Sequence, residues 1–128
     1  MINEIKEVDG VSLVGVDYPS IGEKQDLISI INKLDPAKPA ILMYHEPKLT
    51  KMVEDTGKID FMLSGHTHNG QLWPFNYIVK AIYKQFAAGM YRDGDFTSYT
   101  SVGTGTWGPP LRIGNTPEIT VFTLKNKQ

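Results

Sequence analysis

The sequence predicts an α/β domain, and three features carry that prediction. Short apolar runs at residues 39–44 and 59–63 have the length of buried strands, and the stretch 46–58 between them is long enough for a helical crossover. The two strands are therefore expected to be parallel neighbours in one βαβ unit. Apolar stripes at helical spacing flank them, at Leu27, Ile28, Ile31 and Leu34 and again at Leu49, Met52 and Val53. Beyond residue 87 the texture turns to β, and runs at 96–102 and 118–124 are expected to be antiparallel strands of a second sheet.

Each element has its own local signal. Residues 2–8 alternate loosely, Asp9-Gly10 marks a tight turn, and residues 11–17 read as the returning strand of a hairpin. Ser20-Ile21-Gly22-Glu23 has the S-x-x-E form of a capping box and opens a helix that Pro36 ends. Pro47 suits the first turn of the crossover helix, and Gly57 stops it. After Pro74, Asn76 is expected to cap a further helix. Its Ile78, Val79, Ile82, Tyr83 and Phe86 line one face, expected to turn to the core rather than a membrane, and Lys80 and Lys84 lie on another.

Composition bounds the functional classes. At 128 residues and 14.3 kDa the chain is one domain or part of one, able to bury roughly two-thirds of its unfolded surface. Hydrophobic residues at 41% and charged residues at 21% exclude a disordered segment. A net charge of −1 and a pI near 6.3 give no field that would draw the chain to nucleic acid, which is not expected as a partner. The absence of cysteine excludes disulfides, thiolate zinc sites and a cysteine nucleophile, and leaves the compartment open. No run approaches the ~18 apolar residues of a membrane span. Residues 1–7 lack the basic start and apolar run of a signal peptide, so any export address is expected on other sequence.

All three histidines fall between residues 45 and 68. His45 follows the first strand of the βαβ unit, and His66 and His68 follow the second. Parallel strands present their carboxyl ends at one edge, where ligands bind, so topology is expected to bring the three imidazoles to one rim. Glycines around His66-Thr67-His68-Asn69 allow sharp turns and close approach to an ion. Rings two residues apart suit two metal ions ~3.5–4 Å apart, and neutral imidazole suits zinc, iron or manganese. A single histidine at a strand end is more often a hydrogen-bonded rim residue; convergence of all three argues for a metal site.

Met43-Tyr44-His45-Glu46-Pro47 and Gly65-His66-Thr67-His68-Asn69-Gly70-Gln71 resemble the last two motifs of the calcineurin-like metallophosphoesterases. The segment from Gly103 through Trp107-Gly108-Pro109-Pro110-Leu111-Arg112 to Gly114, with Pro117-Glu118-Ile119, resembles the C-terminal signature of a bacterial branch. That branch contains phosphodiesterases of the membrane or cell envelope, where full-length relatives are expected to reside. The resemblance spans about residues 11–125, with Asn69 where the branch usually has glycine. The family's Asp-x-His, Gly-Asp-x-x-Asp and Gly-Asn-His-Asp/Glu motifs are not found in the chain.

The resemblance therefore implies a single partial domain over residues 1–128, the C-terminal half of a metallophosphoesterase, folded as a partial two-sheet sandwich flanked by helices. It implies phosphoric ester hydrolysis with two divalent ions (manganese, zinc or iron), His45 and His66 serving one ion and His68 the other. Only part of that site would be here, so the chain alone is expected to be inactive. No catalytic residue is assigned. Asn69, Gln71 and Arg112 are candidate substrate contacts, and Trp107 is expected to anchor its loop by packing. The expected partners are a phosphate ester substrate and either the N-terminal half or a second copy. The rival reading is a non-catalytic, truncated fragment that binds a metal or a partner.

Overall fold

A computed structural model of the chain describes residues 1–17 and 23–125. Strands β1 (Glu4–Val8) and β2 (Val11–Val16) form the expected hairpin. Asp9 and Gly10 both take positive φ (49° and 81°), the conformation a two-residue type I′ turn requires. Helix α1 (Glu23–Ile31) follows; Ser20, Ile21 and Gly22 of the expected capping box lie outside the described residues. Leu27, Ile31 and Leu34 are buried, as their spacing predicts.

Strand β3 (Ala40–Tyr44) runs parallel to β2. Pro47–Leu49 form a 3₁₀ turn that leads into α2 (Thr50–Asp55), and Leu49 and Val53 point into the core before Gly57, at φ 62°, ends the helical path. Strand β4 (Phe61–Ser64) is parallel to β3, completing the predicted βαβ unit. Helix α3 (Phe75–Tyr83) comes next, then β5 (Gly89–Asp93) and β6 (Phe96–Thr100), a second hairpin turning at Gly94-Asp95.

The described strands form one six-stranded sheet of order β1-β2-β3-β4-β6-β5. Its four central strands are parallel and both edges are antiparallel, which makes the fold α/β with helices against the sheet. One face carries the core: Val14, Leu42, Tyr44 and Met62 pack with Leu27, Ile31 and Val53 from α1 and α2. Such side chains contribute ~1.5–3 kcal/mol each when fully buried.

Three expectations change. The run at 96–102 supplies β6 of the same sheet, parallel to β4, and no strand forms over 118–124. A strand requires a partner for its backbone groups, and none of the described strands lies alongside 118–124. That segment instead crosses the second face of the sheet, where the Phe122 ring meets Phe61 and Tyr99 at 4.9 and 5.1 Å between centroids. Helix α3 begins at Phe75 without a side-chain cap, so Asn76 lies inside its first turn. No residue of α3 is buried, and its apolar stripe does not face the core.

Candidate metal centre

The parallel strands deliver their ends to one edge. His45 follows β3, His66 and His68 follow β4, and the carbonyls of Val102 and Gly103 follow β6. Gly65 N–H donates to the His45 carbonyl at 2.9 Å, continuing the β3–β4 pairing into the site and fixing how the two segments lie. A cavity of about 380 Å³ opens there, lined by His45, His66, Thr67, His68, Val79, Tyr83 and Trp107. All three predicted histidines are therefore on one rim.

The backbone of this rim is unusual. His66, His68, Asn69 and Gln71 have φ of 66°, 46°, 48° and 52°, in the left-handed region that non-glycine residues seldom enter. Each such residue costs on the order of 1–3 kcal/mol, and clusters of them occur at functional sites, where surrounding contacts hold them. Thr67 is one such hold: its hydroxyl donates to the Ala87 carbonyl at 2.7 Å and accepts from Asn69 N–H at 3.2 Å. Gly70, at φ 79°, sits against the backbone of Phe75 and Asn76 with no room for a Cβ.

His45 and His66 meet nitrogen to nitrogen, Nε2 to Nδ1, at 3.0 Å, with rings steeply inclined at 82°. Two nitrogens on one tetrahedral zinc, each at 2.0–2.1 Å, are about 3.3 Å apart. The pair thus has nearly the bite of two ligands on a single ion. Burial lowers the His45 pKa, the neighbouring His66 lowers it further, and Glu46 opposes the shift. Glu46 accepts a 2.6 Å hydrogen bond from the Tyr83 hydroxyl, which ties α3 to the segment carrying His45.

His68 lines the same cavity. Its Nδ1 lies 3.2 Å from Nη2 of Arg112. Burial and then the Arg112 charge lower its pKa. Among the described residues, no three histidine or acidic side chains converge closely enough to hold one ion. The residues present fit part of a metal site: two nitrogens close enough to share one ion, and a third histidine lining the same cavity.

The polar candidates are placed differently from one another. Gln71 is wholly buried; its amide donates to the carbonyls of Trp107 (2.8 Å) and Pro109 (3.2 Å), and its Oε1 accepts from Trp107 N–H (2.8 Å). Arg112 donates to the carbonyls of Val102 (2.7 Å), Gly103 (3.2 Å) and Gly105, and to Asn115 Oδ1 (2.9 Å). Both side chains hold the 102–115 loop over the cavity. Asn69 stays beside His68, and Asn115 Nδ2 donates to both their carbonyls (3.1 and 3.3 Å). Trp107 is 59% exposed, so its loop is held through backbone contacts to Gln71 while the indole flanks the cavity. Sequence reasoning missed Tyr83, Asn115 and Glu46; only Glu46, adjacent to His45, carried a local hint.

The chain is 37% identical over 131 residues to an uncharacterized metallophosphoesterase of Helicobacter pylori (strain J99), covering 98% of the chain and 35% of the relative. It is 42% identical over 104 residues to the uncharacterized metallophosphoesterase Cj0846 of Campylobacter jejuni, covering 80% and 27%. A transmembrane protein with metallophosphoesterase domain from Danio rerio is 35% identical over 127 residues, covering 91% and 28%. No family profile and no solved structure matches the chain. The chain belongs to the calcineurin-like metallophosphoesterases, a phosphoesterase family with bacterial and animal members, and matches their C-terminal part. It spans about a third of the length of the curated relatives it matches.

Proposed function

We propose that residues 1–128 form part of a metallophosphoesterase domain and contribute one side of a divalent-metal site for phosphoric ester hydrolysis. The observation that carries this reading is the 3.0 Å His45–His66 nitrogen pair on the wall of a cavity that His68 also lines. His45 and His66 hold one ion and His68 a second. Divalent ions bound there supply Lewis-acid activation of a phosphoryl group. The chain's own residues supply position: Tyr83 braces the His45 segment through Glu46, Thr67 locks the turn bearing His66 and His68, and Arg112 and Gln71 fasten the loop that carries Trp107. The remaining ligands come from elsewhere in a longer protein. Membrane attachment of such a protein is a further part of this reading, supported by the name of the Danio rerio relative. None of the described helices is itself long and apolar enough to cross a bilayer.

Calorimetric titration with zinc and manganese tests the proposal. Weak binding is expected, lowered at least tenfold by His45→Ala or His66→Ala. Equal binding by wild type and both variants would reject the assignment. A non-catalytic fragment that binds a single ion is the second reading, favoured by the absence of any three-ligand group among the described residues. Turnover by a complete, longer protein that disappears with His66→Ala would rule it out.

A further inference from the structure

We propose that Trp107 is the specificity-determining residue of the histidine cavity, a platform that selects phosphate esters carrying a planar aromatic ring. The proposal rests on the reading of His45, His66 and His68 as the groups that receive the phosphoryl end. One side chain clamps the backbone of Trp107 at two points. Gln71 accepts from Trp107 N–H and donates to the Trp107 carbonyl, both at 2.8 Å, and is itself wholly buried. To either side, Arg112 donates to the Gly105 carbonyl and Gln71 to that of Pro109 (3.2 Å). The side chain presented in this way is not spent on packing: the indole is 59% exposed, and none of the described rings stacks on it. A tryptophan that anchored its loop would have its large apolar faces covered. A fixed backbone that carries an exposed aromatic into the lining of a cavity is instead a preorganised binding surface, with little left to order when a ligand arrives.

The lining identifies the ligand. The three imidazoles share the cavity with Val79, Tyr83 and Trp107, and none of the described lining residues is acidic, so a phosphoryl anion meets no carboxylate there. About 380 Å³ is at the small end of ligand cavities, with room for a phosphoryl group and one ring-sized substituent. An aliphatic substituent would gain from burial against any of the apolar side chains. A planar ring gains in addition from an offset or edge-on arrangement with the indole. Tyr83 is engaged elsewhere: its hydroxyl donates to Glu46 at 2.6 Å, and its ring stands edge-on to His66 at 6.3 Å between centroids.

The test is an NMR titration of the isotope-labelled 128-residue chain, with and without zinc, using phenyl phosphate, cyclohexyl phosphate and methyl phosphate. The chain has two tryptophans, so the Trp107 indole N–H signal is the one retained in Trp73→Phe. Phenyl phosphate is expected to move that signal and to bind about fivefold more tightly than cyclohexyl phosphate, the margin of an aromatic pair over buried area alone. Trp107→Leu, followed at the Val79 and Tyr83 amides, should bring these two ligands to equal affinity. Trp107→Phe should keep part of the preference. Equal affinity of the two in wild type, a preference that survives Trp107→Leu, or no binding of phenyl phosphate with or without zinc would overturn the proposal. Zinc-dependent binding of all three ligands with equal affinity would overturn it while sparing the metal reading. A Trp107-dependent preference indifferent to zinc would uphold the platform and reject the metal reading.

Discussion

Arg112 and His68 are 44 positions apart in sequence and meet at 3.2 Å, Nη2 to Nδ1. The same guanidinium reaches the carbonyls of Val102, Gly103 and Gly105. One side chain therefore fixes both the loop that covers the cavity and the ring that lines it. An arginine whose Nη1 and Nη2 are so engaged acts through position, although its buried Nε has no partner among the described residues.

Replacing Arg112 should loosen the loop and the ring together. Arg112→Met keeps the apolar stem and leaves several carbonyls without their donor, a loss of about 1–3 kcal/mol for the buried groups. Arg112→Lys offers a point charge in place of the fork and should recover only part of it. Thermal denaturation measures the stability, and the His68 imidazole resonances report the ring. A His68 signal unchanged in Arg112→Met would show that the contact does not hold it.

Gln71 is the second anchor, and the variant to compare is Gln71→Glu. The acid retains one acceptor for Trp107 N–H but loses the amide that donates to the Trp107 and Pro109 carbonyls. A wholly buried carboxylate facing two carbonyl oxygens is strongly unfavourable. Gln71→Glu is therefore expected to be less stable than Gln71→Ala. Chemical denaturation ranks the two, and the opposite order would show that Gln71 is not buried against the loop.

Glu118 should give the fold a pH-dependent increment. Burial raises its pKa, but the bonds from Val102 N–H, the Tyr99 hydroxyl and Ser101 outweigh this and hold it below the usual carboxylate value. A carboxyl whose pKa is lower folded than unfolded stabilises above the unfolded value and loses that contribution as pH falls through the folded one. Glu118→Gln should thus be less stable than wild type at neutral pH, by under about 1 kcal/mol given the partial exposure. The gap should close as pH drops below the ordinary glutamate range. A gap constant down to strongly acid pH would remove ionisation from the account.

What the sequence disclosed was local in origin. The βαβ unit could be read because apolar run length, Pro47 and Gly57 are short-range signals, and the rim followed from parallel topology alone. The second hairpin turns at Gly94-Asp95, a Gly-Asp pair that is itself a two-residue hairpin signal, while the expectation there rests only on the broad β texture after Gly89. Residues 118–124 show why pattern falls short of a strand. Ile119 and Val121 are each 85% exposed while Thr120 and Phe122 are partly buried, so the period of two is present without a neighbouring strand to pair with. Helix α3 is the same lesson for helices: periodicity locates a stripe and is silent on what covers it. The anchoring roles of Gln71 and Arg112 depend on contacts 36 and 44 residues away, which no local pattern contains.

The exposed apolar groups on the second face lead to an association prediction. Ile119, Val121 and Leu124 point outward on a segment whose backbone has no strand beside it among the described residues. Such edges invite pairing with another chain. The isolated 128 residues are expected to form dimers or larger species, reduced by Val121→Lys. A monomer by analytical ultracentrifugation at high concentration would count against this.

The last expectation concerns activity of the isolated chain. A catalytic ion needs about three protein ligands plus an open position, and dinuclear hydrolysis needs both ions at a fixed separation. Here His45 and His66 offer two nitrogens to one ion and His68 lines the same cavity, with no three-ligand group among the described residues. Orientation of reacting groups contributes ~7–11 kcal/mol to such steps, and a loosely held ion forfeits most of it. Residues 1–128 with manganese should therefore hydrolyse bis-p-nitrophenyl phosphate barely above background. Adding a separately expressed N-terminal segment that bears Asp-x-His, Gly-Asp-x-x-Asp and Gly-Asn-His motifs should restore turnover, and His66→Ala should remove it again. Robust turnover by the 128 residues alone, lost in His66→Ala, would show that the histidines here suffice. No turnover even in the mixture would place the chain with the non-catalytic metal-binding fragments.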